Sequence, residues 1–160
     1  MAIQIAVCGP ADASQQEYEH AREVGSLLAQ RGVVVICGGY GGVMAAAAAG
    51  ARDGGGTAVG VLSRADREDA NPDLTIAIAT GMGQARNAVI VNSADAVIAV
   101  GGSWGTLSEV ALALRRGTIR VVWLDGWQVN HADGHSVPGG PIHVLTPTEA
   151  VDTAMTGLSG

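Results

Sequence analysis

The chain contains no lysine; all nine of its basic residues are arginine. A pyridoxal-phosphate enzyme needs a lysine for its Schiff base, and a P-loop needs one on the nucleotide phosphates, so neither chemistry belongs to these residues. Phenylalanine is also missing, and three tryptophans and two tyrosines are the whole aromatic content. A core must therefore be built from small aliphatic side chains. No basic run exceeds Arg115-Arg116, and the formal net charge is −6, which argues against a surface that neutralises nucleic-acid phosphates. No apolar stretch reaches the ~18 residues of a membrane span. The opening MAIQIAVCG has no charged segment ahead of its apolar run, so no secretory signal is expected. Cys8 and Cys37 end two strand-like runs and read as free thiols in the core of a cytoplasmic protein.

What is present is glycine and short apolar runs. The 160 residues include 24 glycines, and 48% of the chain is apolar, enough for one domain spanning residues 1–160. Strand-like runs at 3–8, 33–37, 57–62, 74–80, 95–100 and 119–124 alternate with helical patterns at 15–30, 43–51, 84–92 and about 105–116. Ser14 and Glu17 have capping-box spacing, and Gly32 and Gly117 stand where helices end. Thr146-Pro147-Thr148-Glu149 opens a last helix. Residues 63–73 and 125–142 read as loops. Continuous apolar strands alternating with helices predict an α/β fold, a Rossmann-like, doubly wound parallel sheet covered on both faces. Such sheets bind ligands at the carboxyl ends of their strands.

Three glycine turns fall at those ends: Gly9-Pro10, GGYGG at 38–42 and GGSWGT at 101–106. The third leads into a helix beginning near Gly105-Thr106, where unpaired backbone N–H groups and the helix dipole favour an anion, a phosphate by expectation. Gly101 and Gly102 would let a ligand approach the backbone, and Ser103 and Thr106 would add hydroxyl donors. Glu109, one turn on, has two readings. It is a residue favoured by the helix dipole, or it faces ribose hydroxyls and a developing positive charge, as carboxylates do in glycoside cleavage. Arg86 is either a surface arginine or a guanidinium turned to a phosphate or a leaving base. Tyr40 either stacks on a base or covers the end of the sheet. HADGH carries His131, Asp133 and His135, a set that would suit a metal, but a solvated loop or lid is the better reading. No metal and no required cofactor is expected.

The stretch Gly101-Gly102-Ser103-Trp104-Gly105-Thr106-Leu107-Ser108-Glu109 resembles the P-G-G-x-G-T-x-x-E motif of the Lonely Guy (LOG) family and its superfamily, with Gly101 in place of Pro and Ser103 in place of Gly. Residues 38–45, GGYGGVMA, are similar to the family's G-G-x-x-G-L-M-G turn. Arg86-Asn87 stands where the family has Arg-Lys. The resemblance implies a nucleoside 5′-monophosphate phosphoribohydrolase, releasing base and ribose 5-phosphate, with Arg86 and Glu109 as the catalytic pair. It implies that Gly9, Gly38, Gly39, Tyr40, Gly42, Met82, Asn87, Gly101, Gly102, Ser103, Trp104, Gly105 and Thr106 surround the ligand. The alternative implied by Asn87 and Ser103 is a carrier or sensor in the branch of molybdenum-cofactor carrier proteins, holding molybdopterin or a nucleotide without hydrolysis. A third possibility is an assembly protein that uses the fold without a ligand. The family's habit also implies a homodimer or homotetramer, with no nucleic-acid or membrane partner.

Overall fold

The computed structural model describes residues 1–158. Its elements are β1 (Gln4–Cys8), α1 (Gln15–Gln30), β2 (Val34–Cys37), α2 (Val43–Asp53), β3 (Ala58–Leu62), β4 (Ile76–Ala79), a 3₁₀ turn (Gly83–Ala85), α3 (Arg86–Asn92), β5 (Ala96–Val100), α4 (Trp104–Arg116), β6 (Arg120–Leu124), β7 (Ile142–Val144) and α5 (Pro147–Met155). The strands form one sheet in the order β4-β3-β2-β1-β5-β6-β7, and every pairing is parallel. The predicted Rossmann-like fold is the observed one.

Alternation along each strand divides the core in two. Ile5, Val7, Val35, Ile98, Val100 and Val122 face one way and pack with α1, α2 and α5. Ala6, Cys8, Ile36, Val97, Ala99 and Trp123 face the other way and pack with α3 and α4. Both faces are covered, which is why the strands read as unbroken apolar runs rather than alternating ones.

The chain order steps outward from β1 through β2, β3 and β4, then returns to β5 on the other side of β1. β1 and β5 are therefore adjacent strands whose connections leave in opposite directions. This is the switch point at which a doubly wound sheet opens a crevice beyond its strand ends. The predicted capping box at α1 is present, and the helix start expected at Thr146 carries a second one. Ser14 Oγ accepts from the Glu17 N–H while Glu17 Oε2 accepts from the Ser14 N–H, and Thr146 and Glu149 repeat the pattern at α5.

Three boundaries differ from expectation. The predicted loop 125–142 runs directly into a seventh strand, β7. Its three residues, half exposed and centred on His143, are too few to show a period. The predicted helix 84–92 starts with a 3₁₀ turn, and Gly83 within it holds φ +57°. β4 is shorter than the run 74–80 and lies at the sheet edge with Ile76 and Ile78 exposed.

The closest helix crossing joins α1 and α2, and glycine permits it. A Cβ on Gly50 would overlap the Arg22 carbonyl oxygen, and one on Gly25 would overlap that of Ala47. Alanine at position 50 would improve helix propensity by about 1 kcal/mol. Its methyl would also have to push two helix backbones apart, and overpacking of this kind costs about 1–3 kcal/mol. The clash is with backbone, which cannot rotate away, so Gly50→Ala is expected to lower the thermal midpoint in a calorimetric scan despite the better propensity.

Candidate functional site

A cleft of about 150 Å³ opens at the switch point. β1 delivers Cys8 and Gly9 to it, α2 delivers Met44, and the start of α3 delivers Arg86 and Asn87. The first two turns of α4 deliver Ser103, Gly105, Thr106 and Glu109. Seven of the anticipated residues thus meet here: Gly9, Arg86, Asn87, Ser103, Gly105, Thr106 and Glu109. Cys8, Ala11, Met44 and Gln84 also line it and were not anticipated. A cysteine at a strand end and an alanine in a turn carry no chemical signature in sequence.

The start of α4 differs from expectation in one respect. Ser103 is its N-cap, in extended backbone, and Ser103 Oγ accepts the Thr106 N–H at 3.1 Å. The same oxygen lies 2.9 Å from Thr106 Oγ1. One of the N–H groups anticipated as free is therefore satisfied from within. The Trp104 and Gly105 N–H groups take no partner among the described residues, and they remain the donors of the helix start.

Gly101 and Gly102 were expected to leave room for a ligand, but protein fills that room. Gly101 holds φ +63°, and a Cβ there would run into the Glu17 carboxylate. A Cβ on Gly102 would run into the Trp127 indole. The Gly101 carbonyl accepts from Trp123 Nε1 at 2.6 Å. Trp104 lies outside the cleft, 78% exposed and edge-on to Trp127 at 5.3 Å.

Arg86 is not a surface residue, and Glu109 is not a dipole residue. Arg86 is 8% exposed and Glu109 is 7% exposed. Arg86 Nη1 stands 3.8 Å from Glu109 Oε1. Glu109 sits in the second turn of α4, where the dipole's influence has faded. Arg86 Nε is buried and, among the described residues, has no hydrogen-bond partner, an orphaned donor beside the cleft. The guanidinium lies against Gly38, where a Cβ would collide with both terminal nitrogens. Gly38 therefore makes room for Arg86.

Burial pushes the Glu109 carboxyl up to about 7, against the opposing pull of Arg86 and a contact with the Cys8 thiol. Burial likewise pushes the Cys8 thiol well up, with the Glu109 charge adding to it, and carries Cys37 to about 11. Both thiols are buried, as anticipated, and Cys8 also faces the site.

The remaining anticipated residues lie apart from the cleft. Gly39 (φ +79°) packs on Leu62, and Gly42 (φ +60°) turns the chain over the Pro10 and Ala11 carbonyls. Tyr40 covers the sheet end, with its hydroxyl 3.2 Å from Ser63 Oγ and accepting the Arg64 N–H at 3.2 Å. Met82 is exposed on the turn before α3. In the HADGH loop, Asp133 accepts from the His135 N–H at 3.0 Å, and both side chains are exposed. Among the described residues no three His, Cys, Asp or Glu side chains gather as a metal site. No described helix is long and apolar enough to cross a membrane.

Fold and site together define a Rossmann-like domain with a buried Arg–Glu pair and a helix start at its switch point. The SLOG cluster4 family profile matches residues 2–151, and the chain belongs to that family. An uncharacterized protein of Archaeoglobus fulgidus is 48% identical over 115 residues, which are 72% of this chain and 76% of that one. A cytokinin riboside 5′-monophosphate phosphoribohydrolase of Mycobacterium tuberculosis is 33% identical over 135 residues, covering 79% of this chain and 71% of that one. The molybdenum cofactor binding protein of Rippkaea orientalis superposes with a TM-score of 0.85 at 32% identity, over 95% of this chain and 94% of that one. These similarities place the chain in a LOG-like branch near the molybdenum-cofactor carriers.

The Glu109 carboxyl ties stability to pH. Its folded pKa of about 7 lies above its ordinary value of 4.5. Between those values the folded chain holds more protons than the unfolded one. Stability from this group therefore falls as pH rises through that window and levels off above it. Glu109→Gln, which mimics the neutral acid, is expected to remove that slope. The stability difference between wild type and variant, followed by urea unfolding, should change by about 3 kcal/mol from acid to alkaline conditions. A pH-independent difference would refute the assignment.

Proposed function

We propose that the protein binds a small phosphorylated ligand at the β1/β5 cleft, a phosphorylated pterin such as molybdenum cofactor or a mononucleotide, and serves as a carrier or sensor. The observation that carries this reading is the orphaned, buried Arg86 Nε at a cleft that the start of α4, through Ser103, Gly105 and Thr106, also lines. A buried guanidinium donor with no partner costs free energy until an acceptor arrives, and a phosphate supplies acceptors in the plane that a guanidinium prefers. The likeness to the Rippkaea orientalis protein over nearly the whole of both chains supports the pterin. The two buried free thiols suit a reducing, cytoplasmic setting.

A phosphoribohydrolase is the second reading, favoured by the Arg86–Glu109 pair and the Mycobacterium tuberculosis relative. Turnover would need Glu109 ionised and turned to the anomeric carbon. A carboxyl pushed to about 7, with a guanidinium already 3.8 Å away, suits binding better than that task.

In thermal-shift and calorimetric titrations, inorganic phosphate and AMP are expected to bind and raise the unfolding midpoint. Arg86→Ala should weaken that binding about 10- to 100-fold, the scale of a lost charge-assisted hydrogen bond. On incubation with a panel of nucleoside monophosphates no free base is expected. Base release that disappears in Glu109→Gln would establish the hydrolase instead, and absence of binding by either probe would refute both readings.

A further inference from the structure

The Arg86–Glu109 contact does not hold itself together. At 3.8 Å the pair makes no direct hydrogen bond, and Arg86 opens a helix of seven residues that has no side-chain cap. Something else must set how α3 lies on α4.

One residue along from each partner there is such a link. Asn87, 5% exposed, donates through Nδ2 to Ser108 Oγ at 3.0 Å. Ser108 Oγ in turn donates to the Gly105 carbonyl at 2.7 Å. Asn87 follows Arg86 in sequence and Ser108 precedes Glu109, so this relay runs beside the ion pair and ends on the first turn of α4. The far ends of the two helices are joined separately, by Arg116 Nη1 donating to the Val91 carbonyl at 2.7 Å and the Ala94 carbonyl at 2.8 Å.

We propose that Asn87 and Ser108 are positioning residues whose hydrogen bond fixes the separation of α3 and α4 at which Arg86 faces Glu109 and the helix start. Asn87 therefore acts through Ser108, although its side chain borders the cleft. The proposal rests on reading Arg86 and Glu109 as the binding pair. Its physical basis is that a buried amide without its partner loses a hydrogen bond it cannot replace from water, and a two-turn helix has little intrinsic stability with which to hold its place.

The Glu109 carboxyl reports on this geometry. The ionisable groups facing it are Arg86 on α3 and Cys8 on β1, with Cys37 on β2 behind Cys8. The thiols stay protonated through neutral pH, so Arg86 is the charge whose position matters. If Arg86 moves away, the carboxyl loses its counter-charge and titrates higher.

The test follows the Glu109 side-chain carboxyl by ¹³C NMR across the neutral range, together with calorimetric titration of inorganic phosphate, in Asn87→Ala, Ser108→Ala, Ser108→Thr and Arg116→Ala. Asn87→Ala and Ser108→Ala are each expected to raise the Glu109 midpoint by about half a pH unit or more. The double variant should add little to either, because one interaction is removed once. Phosphate affinity should fall about three- to tenfold in both single variants. Ser108→Thr keeps the hydroxyl and should restore the wild-type midpoint. Arg116→Ala, which cuts the distal tie, should lower the thermal midpoint and leave the titration in place. Should Asn87→Ala not fold, the solvent-exposed Ser108 carries the same comparison. An unmoved midpoint in Ser108→Ala, or an equal shift in Arg116→Ala, overturns the proposal. Failure of phosphate to bind the wild-type chain overturns the functional reading instead, and the titration still decides the positioning role without any ligand.

Discussion

Arg86 and Glu109 are taken out of water together, and much around them follows from that. Burying an ion costs several kcal/mol after relaxation, and a partner returns that cost only with close geometry and full hydrogen bonding. Neither condition is met: the contact is 3.8 Å and Arg86 Nε has no acceptor. The shortfall is visible on Glu109, whose carboxyl titrates near neutrality even though a guanidinium faces it. The neighbouring positions are arranged around the pair. Gly38 withholds a side chain where the guanidinium lies, and Asn87 and Ser108 join the two helices alongside.

The topology makes that arrangement possible. Arg86 comes from the crossover out of β4, at the far edge of the sheet, and Glu109 from the helix after β5. Because β5 returns to the centre beside β1, the two helices that cover this face meet over the end of β1, where Cys8 sits. Had β5 continued outward from β4, the glycine turn after it would have lain at an edge, with a single helix beside it and no crevice.

The strands, the two capping boxes and the glycine turns were legible because each is a local pattern: a run of β-branched residues, a serine or threonine three residues before a glutamate, a glycine after a strand. The site was legible in its members and less so in their roles. Arg86 and Glu109 stand 23 positions apart with no helical spacing between them, so nothing local says that they face each other. Gly101 and Gly102 look like room for a ligand in the sequence, yet in the fold they make room for Glu17 and Trp127, and Gly38 makes room for Arg86. Ser103 looked like a donor to a ligand and proves to be a cap that satisfies Thr106. In each case the partner lies far along the chain or in an unpatterned loop. β7 was missed for a different reason, since three residues are too few to show a period.

The three tryptophans sharpen the choice between holding a ligand and transforming one. In a chain without phenylalanine all three indoles meet at one glycine turn: Trp123 donates to the Gly101 carbonyl, Trp127 packs on Gly102, and Trp104 stands edge-on to Trp127. Two of the three come from β6 and from the loop after it, so that loop has a structural task even though its tip is exposed. A turn braced in this way presents the helix start already formed, and a preformed site spends little free energy on ordering when an anion arrives. Rigid donors of this kind hold a bound phosphate equally well before and after any bond is broken, and such uniform binding does not accelerate chemistry. Acceleration would need a group whose interaction grows as charge develops on the ligand. Glu109 is the carboxylate placed for that; burial disfavours its charge, and when ionised it is already faced by the Arg86 guanidinium.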